Sequence, residues 1–236
     1  TRMLAAHGAD VLRVSAPHLP EVESVLPDTT VGKRSTFLDL RAPGDSHAFA
    51  ELVRGADVLV QSYRGGSLEA LGWSPARLAE LRPGLVVASI SAYGHLGPWA
   101  ERRGYDSIVQ TGTGIALGEA AAAGDADHVH ALPRQVLDHA TGHLAAAAVT
   151  RALRHRIDAG SGTHLRLSLL QTRQWLERSG RRALEPRRPL DVAPFLTTVP
   201  SPRGQITLVS PPMQMHDTPP RWELGPQLPG SSAPTW

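Results

Sequence analysis

Two strand-length runs of almost continuous apolar residues most constrain the fold of this chain. They occupy residues 56–61 (ADVLVQ) and 85–91 (LVVASIS). Runs of this length are typical of parallel strands that are buried on both faces. Between them, residues 74–81 begin with Ser-Pro, which predicts a helix with a serine cap and a proline at its first position.

The same alternation of strand and helix extends over residues 1–91. It predicts an α/β fold, with a Rossmann-like, doubly wound and mostly parallel sheet. Further along, we expect a helix over residues 105–116, a loop over 118–134, a long helix after Asp138 and a short apolar run at 165–170. In the first part, we expect a helix ending at Gly8, strands at 9–14 and 35–40, and a helix at 45–55.

The composition changes after Gly180, where proline becomes frequent and periodicity fades. Only residues 205–209 resemble a strand there, and residues 211–236 are expected to wrap along a surface or to be partly disordered. We therefore predict a large domain over residues 1–180. Residues 181–236 would form a proline-rich tail that packs back on this domain or is partly disordered.

Composition excludes several classes of function. The chain has no cysteine, which excludes disulfides, thiolate metal sites and a cysteine nucleophile. Its net charge is only +2, its arginines are scattered and aromatic residues are few, so no nucleic-acid partner is expected. No apolar run approaches the roughly 18 residues of a membrane span, and no signal-peptide pattern is present. We expect a cytoplasmic protein with no membrane association.

Several familiar motifs are missing or incomplete. Residues 112–118 (GTGIALG) resemble a dinucleotide fingerprint, but the third glycine is one residue late and no clear strand precedes it. This disfavours a nucleotide-binding dehydrogenase, and no Walker A motif or G-x-S-x-G elbow is present. His139 and His143 have the spacing of a two-histidine metal site. No third ligand is evident, so we predict no metal site.

Asp138 stands where the long helix is expected to begin, and two interpretations compete for it. Spacing alone favours a helix cap, because aspartate is a preferred cap residue. A carboxylate at a helix N-terminus is also held ionised by the dipole and the N–H groups, which suits a nucleophile. Gly142 lies one turn further and removes a side chain, which would leave room for a ligand.

Two loops follow the apolar runs at the edge where open α/β sheets bind ligands. Residues 62–66 (SYRGG) follow the first run, and residues 92–98 (AYGHLGP) follow the second. Their glycines would let the backbone approach a ligand closely and present N–H groups to an anion. From spacing alone, ordinary turns explain these loops equally well.

The order of these motifs resembles the family III CoA-transferases, the CaiB/BaiF type that includes formyl-CoA and carnitine CoA-transferases. The resemblance covers residues 4–175. It rests on the following segments: 8–14 (GADVLRV), 32–35 (GKRS), 38–40 (LDL), 56–66 (ADVLVQSYRGG), 71–72 (LG), 89–91 (SIS), 97–98 (GP), 104–106 (GYD), Gly112, Asp138 with Gly142, 160–162 (GSG) and 168–170 (SLL).

The resemblance implies a CoA-transferase that moves CoA from an acyl-CoA thioester to a carboxylic acid. Asp138 would be the nucleophile that forms covalent aspartyl intermediates. The residues implied to bind CoA are Ser62, Tyr63, Arg64, Arg103 and Tyr105. The acyl-CoA and the carboxylic acid would be substrates, no cofactor would be tightly bound, and the chain would form an interlocked homodimer.

The resemblance also leaves alternatives open. The family's first strand would precede Thr1, and after Ser179 the sequence passes to the family's C-terminal part. We therefore expect a truncated or divergent member that lacks most of the second, smaller domain. One alternative is an α-methylacyl-CoA racemase, but Tyr105 stands where racemases need a histidine base, and tyrosine is a poor base at neutral pH. Another is a catalytically degenerate CoA-binding homologue or a subunit of a hetero-oligomer.

Overall fold

The structure is a computed structural model that describes residues 1–125, 127–180 and 190–236. It has the expected α/β class with parallel sheets. The strands are β1 (Leu12–Ser15), β2 (Arg34–Phe37), β3 (Val58–Gln61), β4 (Val86–Ser91), β5 (Thr163–Ser168), β6 (Leu196–Ser201) and β7 (Gly204–Val209). The helices are α1 (Arg2–Ala6), α2 (Leu26–Thr30), α3 (Pro43–Gly55), α4 (Pro75–Leu81), α5 (Asp106–Gly112), α6 (Ile115–Ala123), α7 (Val136–Ala159) and α8 (Leu169–Arg178).

The described residues divide into two compact units. Unit 1 contains Thr1–Gly55 together with residues 190–236 of the C-terminal segment, and unit 2 contains residues 56–180. This division differs from the predicted boundary at residue 180, because the first 55 residues group with the C-terminal segment. Residues 181–189 of the predicted tail lie outside the described residues.

Unit 2 is built on a parallel sheet in the order β3-β4-β5. Its central strand pairs on one side with β3, from Val58 opposite Val86, and on the other with β5, from Thr163 opposite the same residue. Val86 and Ala88 are completely buried. The two apolar runs therefore form adjacent parallel strands, as their composition predicted, and the serine cap of α4 is confirmed by a bond from the Arg77 N–H to Ser74 Oγ.

The segment before α7 is more helical than its sequence indicated. The predicted helix at 105–116 is split into α5 and α6, because Gly114 adopts a left-handed φ of 84° between them. The second of these helices continues to Ala123, into a region that was expected to be a loop. No helix in the described part of the chain has the length and apolar character needed to span a bilayer.

Unit 1 combines the parallel pair β1-β2 with the antiparallel hairpin β6-β7. Strand β7 confirms the prediction at residues 205–209, while its partner β6 was missed because it contains Pro200. Trp222 is buried in a cluster with Ala5 and Val31. The Gly32 N–H donates to the carbonyl of Leu224 at 2.8 Å. Part of the C-terminal segment thus belongs to the core of unit 1. The parallel strands are hydrogen-bonded as the pair β1-β2 in unit 1 and as β3-β4-β5 in unit 2.

Candidate active site

The carboxyl ends of the three unit 2 strands meet at one edge of their sheet. Strand β3 ends at Gln61, β4 ends at Ser91 and β5 ends at Ser168. Helix α8 begins directly after the third strand, because the Ser168 hydroxyl accepts the Gln171 N–H at 3.1 Å and caps the helix. The Leu170 N–H donates to the carbonyl of Ala92, which ties this helix to the loop after β4.

The loops after β3 and β4 approach each other closely at this edge. A Cβ placed on Gly65 would lie 3.1 Å from the carbonyl oxygen of Ala100. A Cβ on Gly104 would lie 2.8 Å from the Ala92 Cβ and 3.0 Å from the Tyr93 ring. Glycine at these two positions therefore allows a close contact that a side chain would obstruct.

The five side chains predicted to bind CoA are exposed on these two loops. Ser62, Tyr63 and Arg64 lie in the loop after β3, while Arg103 and Tyr105 lie at the end of the loop after β4. The structure thus places both groups at the carboxyl edge of the sheet.

Three arginines lie on these two loops, and Arg64 and Arg103 differ from Arg102 in the contacts of their guanidinium groups. The Arg102 guanidinium lies 4.5 Å from the centre of the Trp99 ring, which packs edge-on against Tyr93. Over residues 1–125, 127–180 and 190–236, no ion pair reaches Arg64 or Arg103. Both guanidinium groups can therefore meet an anion, such as a phosphate, without first breaking a salt bridge with another described residue.

Asp138 is brought to the same edge by the start of α7. Leu137 is completely buried against Tyr93, Val109 and Leu169, which fixes the first turn of this helix between the loop after β4 and the start of α8. Asp138, the next residue, has an exposed side chain. Within the described residues, no hydrogen bond or ion pair engages its carboxylate.

The prediction that Asp138 caps this helix is wrong. The cap position belongs to Gln135, and Asp138 is already the third helical residue. Its place as a cap is taken by Asp106, the first residue of α5, whose Oδ2 accepts the N–H groups of Leu137 at 2.7 Å and Asp138 at 3.0 Å. The cap thus comes from a residue far away in sequence, which helix-start rules do not detect.

The electrostatic expectation for Asp138 is also corrected. The first N–H groups of the helix were expected to hold its carboxylate ionised, but two of them are bonded to Asp106. Loss of water around the side chain and, secondarily, the Asp106 carboxylate raise the pKa of Asp138, and His139 acts in the opposite direction. The carboxylate is therefore more basic than that of an ordinary exposed aspartate.

Asp106 and Gln110 form a buried polar pair that sequence reasoning missed. Their side chains are 0% and 1% exposed. Gln110 Nε2 donates to Asp106 Oδ1, and Gln110 Oε1 accepts the Leu132 N–H at 2.7 Å. The available signal was the spacing of these two polar residues, four apart, on the same face of the predicted helix as the apolar Val109.

Gly142 lies one helical turn after Asp138, on the same face. A Cβ placed on it would meet no atom within 4 Å, so open space adjoins the carboxylate, in agreement with the predicted room for a ligand.

Two other groups are engaged locally. The His143 Nδ1–H donates to the carbonyl of His139 at 2.8 Å, and the Gly94 N–H donates to Ser91 Oγ at 3.1 Å. The Gly94 amide is thus unavailable as an oxyanion donor.

Comparison with known proteins places the chain in one family. Residues 1–181 match the profile of CoA-transferase family III. The chain is 33% identical over 168 residues to a probable fatty acyl-CoA transferase of Mycobacterium tuberculosis, which aligns 66% of this chain with 42% of that protein. It is 32% identical over 163 residues to an acetyl-CoA:oxalate CoA-transferase of Acetobacter aceti, with coverages of 69% and 41%.

Solved structures give the same result. An orthorhombic crystal form of the M. tuberculosis protein Rv3272 superposes with a TM-score of 0.68 at 30% identity, over 75% of this chain and 50% of that chain. A CaiB/BaiF family protein from Brucella suis superposes with a TM-score of 0.64 at 27% identity, with coverages of 86% and 59%. The chain spans less than half the length of the two curated relatives and between half and three-fifths of the length of these structures. The chain belongs to CoA-transferase family III.

Proposed function

We propose that this chain transfers CoA from an acyl-CoA thioester to a carboxylic acid, with Asp138 as the covalent nucleophile. The observation that carries the proposal is the setting of this carboxylate. It is exposed at the carboxyl edge of a parallel sheet, has open space over Gly142, and has a raised pKa. The relatives named as CoA-transferases support the same class of reaction.

The proposed chemistry has two symmetrical halves. An Asp138 carboxylate oxygen attacks the thioester carbonyl, the C–S bond breaks, and a mixed anhydride and CoA thiolate result. The thiolate then attacks the aspartyl carbonyl, which releases the donor carboxylate and leaves CoA as an aspartyl thioester. The acceptor carboxylate reverses these steps, so that CoA leaves on the acceptor and the Asp138 carboxylate is restored. Covalent catalysis of this kind divides one difficult exchange into easier steps.

The raised pKa of Asp138 fits this role. A nucleophile is useful when it is ionised at working pH and still basic enough to attack a carbonyl. Partial loss of water and the nearby Asp106 charge increase the basicity of the carboxylate, whereas a cap engaged with backbone N–H groups would be less nucleophilic. Because Asp138 does not act as the helix cap, its carboxylate is the better nucleophile toward the thioester carbonyl.

The CoA-binding proposal rests on the two loops that meet at Gly65 and Ala100. Ser62, Tyr63 and Arg64 on one loop, and Arg103 and Tyr105 on the other, would line the path of the nucleotide part of CoA. The two guanidinium groups would pair with its phosphates, since charge-assisted bonds to phosphate are among the stronger polar contacts. CoA is a substrate in this scheme and not a resident cofactor.

Hydroxylamine trapping tests the nucleophile directly. The protein is incubated with an acyl-CoA and a second carboxylic acid, treated with hydroxylamine, and digested for peptide mass mapping. We expect a hydroxamate at Asp138, because hydroxylamine intercepts both the anhydride and the aspartyl thioester. The Asp138→Asn variant should lose the adduct and CoA exchange. Asp158→Asn is the matched control, since it removes an exposed aspartate from the last turn of the same helix.

The same experiment separates the alternatives. Exchange of an α-proton for deuterium without CoA exchange would favour a racemase. A racemase would then need a base other than the exposed Tyr105. Absence of both adduct and exchange over a broad panel of thioesters would contradict the transferase proposal and favour a degenerate CoA-binding homologue.

A further inference from the structure

We propose that Asp106 is a positioning residue for CoA transfer, because its buried carboxylate holds the first turn of α7 and thereby aims Asp138 at the thioester. The inference deepens the proposed function and rests on it. Asp106 would touch neither substrate nor CoA. It acts through the backbone of the nucleophile, and Gln110 holds it in place.

The contacts of Asp106 are concentrated on the residue that carries the nucleophile. One carboxylate oxygen, Oδ2, accepts the N–H of Asp138 and the N–H of the residue before it. The peptide planes on both sides of Leu137 are thus fixed by a single acceptor. Since a side chain leaves its helix in a direction set by the backbone, this acceptor also sets the direction of the Asp138 Cα–Cβ bond.

Besides the burial of Leu137, the start of α7 needs acceptors for its first N–H groups. The side chain of Gln135 at the cap position makes no cap hydrogen bond. Its carbonyl accepts the His139 N–H at 3.0 Å, which is an ordinary helical bond. The side-chain acceptor that satisfies the first N–H groups of α7 therefore comes from α5. Unpaired N–H groups at a buried helix start are costly, so this link is firm.

Gln110 extends the link to the loop that precedes α7. Its amide nitrogen donates to the second Asp106 oxygen, and its amide oxygen accepts the Leu132 N–H. Asp106 and Gln110 thus bind the backbone on both sides of the start of α7: the loop at residue 132 and the helix at residues 137–138. Each polar side-chain atom of this buried pair has a hydrogen-bond partner, which favours one geometry.

The negative charge of Asp106 also acts on the nucleophile through space. The charged groups that act on the Asp138 carboxyl are Asp106 from α5, which raises its pKa, and His139 from α7 itself, which lowers it. Removal of the Asp106 charge would lower the pKa of Asp138. A purely structural cap elsewhere in the chain would leave that pKa unchanged.

The test compares Asp106→Asn with two other variants in the full chain. Ser74→Ala is the matched control, since it removes the side-chain cap of α4, whose Oγ accepts the Arg77 N–H at 3.2 Å. Gln110→Ala removes the support of Asp106 and keeps its charge. Steady-state CoA transfer is measured as kcat, KM and pH profile, and amide hydrogen exchange is measured at Leu137 and Asp138.

We expect Asp106→Asn to lower kcat about ten-fold or more with a smaller change in KM. A neutral amide oxygen accepts the two N–H groups more weakly than a carboxylate, and the new NH2 group would face the Gln110 NH2 group, so the nucleophile is held less firmly in its attack geometry. The acid limb of its pH profile should move to lower pH. Gln110→Ala should lower kcat without moving that limb, and it remains informative if Asp106→Asn does not fold. Ser74→Ala should keep kcat and the limb unchanged.

Two results would overturn the inference. One is a folded Asp106→Asn protein with the kcat and pH profile of the wild type. The other is unchanged amide protection at Leu137 and Asp138 in that variant. The second readout needs no turnover. A wild-type chain that shows no CoA transfer would contradict the proposed function, while faster exchange at these two amides in Asp106→Asn would still support the positioning of the helix.

Discussion

Replacement of Gly142 by alanine separates the stability of α7 from the space beside Asp138. The glycine lies within the helix and has no positive φ, so alanine can adopt its backbone conformation. The added Cβ would meet no atom within 4 Å. The folded state therefore gains no clash, and the change in free energy of unfolding should follow helix propensity, which favours alanine by about 0.8–1.0 kcal/mol.

The same methyl group would project into the space proposed for the substrate, one turn from the nucleophile. An extra carbon in a filled site typically costs about 1–3 kcal/mol. That range converts to a decrease in kcat/KM of about 5- to 150-fold. We thus expect a protein with a midpoint of thermal unfolding higher by about 2–4 °C and with impaired CoA transfer.

The assays are thermal and urea unfolding for stability and CoA exchange between an acyl-CoA and a carboxylic acid for activity. Ala147→Gly is the matched control, because it makes the reverse change at an exposed position of the same helix. It should lose about 1 kcal/mol of stability and keep the wild-type kcat/KM. A stabilised Gly142→Ala protein with unchanged kcat/KM would refute the assignment of this space to the substrate.

Three further predictions concern pH and packing. Since burial raises the pKa of Asp138 above the ordinary value of 3.8, the acid limb of kcat/KM should have its midpoint above that pH, and a midpoint at or below it would be contrary evidence. Burial lowers the pKa of Lys33 from 10.5 to about 8, so the unfolded chain holds this proton more tightly. Urea unfolding should therefore show wild-type stability rising relative to Lys33→Met between pH 8 and 10.5, whereas parallel pH curves would argue against it. Gly104→Ala should lower the free energy of unfolding in urea by about 1–3 kcal/mol, because its Cβ would crowd Ala92 and Tyr93. Wild-type stability in this variant would contradict the prediction and show that the loop can shift to accommodate the methyl group.

Local signals in the sequence were sufficient for the sheet that carries the site. Strands β3 and β4 are continuous apolar runs of strand length; β4 is buried over its first four residues, whereas β3 is half-buried. Helix α4 carries its own cap, Ser74, and a proline at the first position. Each of these elements is specified by residues that lie within it, so that single-sequence reasoning could locate it.

Two elements were missed or misjudged, for different reasons. Asp138 has the residue type of a cap, but the acceptor for its helix is Asp106 on another helix. Strand β6 contains Pro200, which argues against a strand until its partner Gly204–Val209 is known. The deciding contact of α7 is therefore tertiary, whereas the partner of β6 is the next strand of the chain and the obstacle was its proline.

The connectivity of unit 1 has a consequence for the order in which the chain can acquire its structure. Ser35 in β2 bonds to the backbone of Gly230 and Ser232, and the Trp236 indole N–H donates to the carbonyl of Leu52. These contacts join positions about two hundred residues apart. During synthesis, unit 2 emerges as a continuous stretch and can close its sheet early, whereas the N-terminal strands must wait for residues 190–236. The N-terminal residues of unit 1 are therefore expected to be among the last of the described residues to become native.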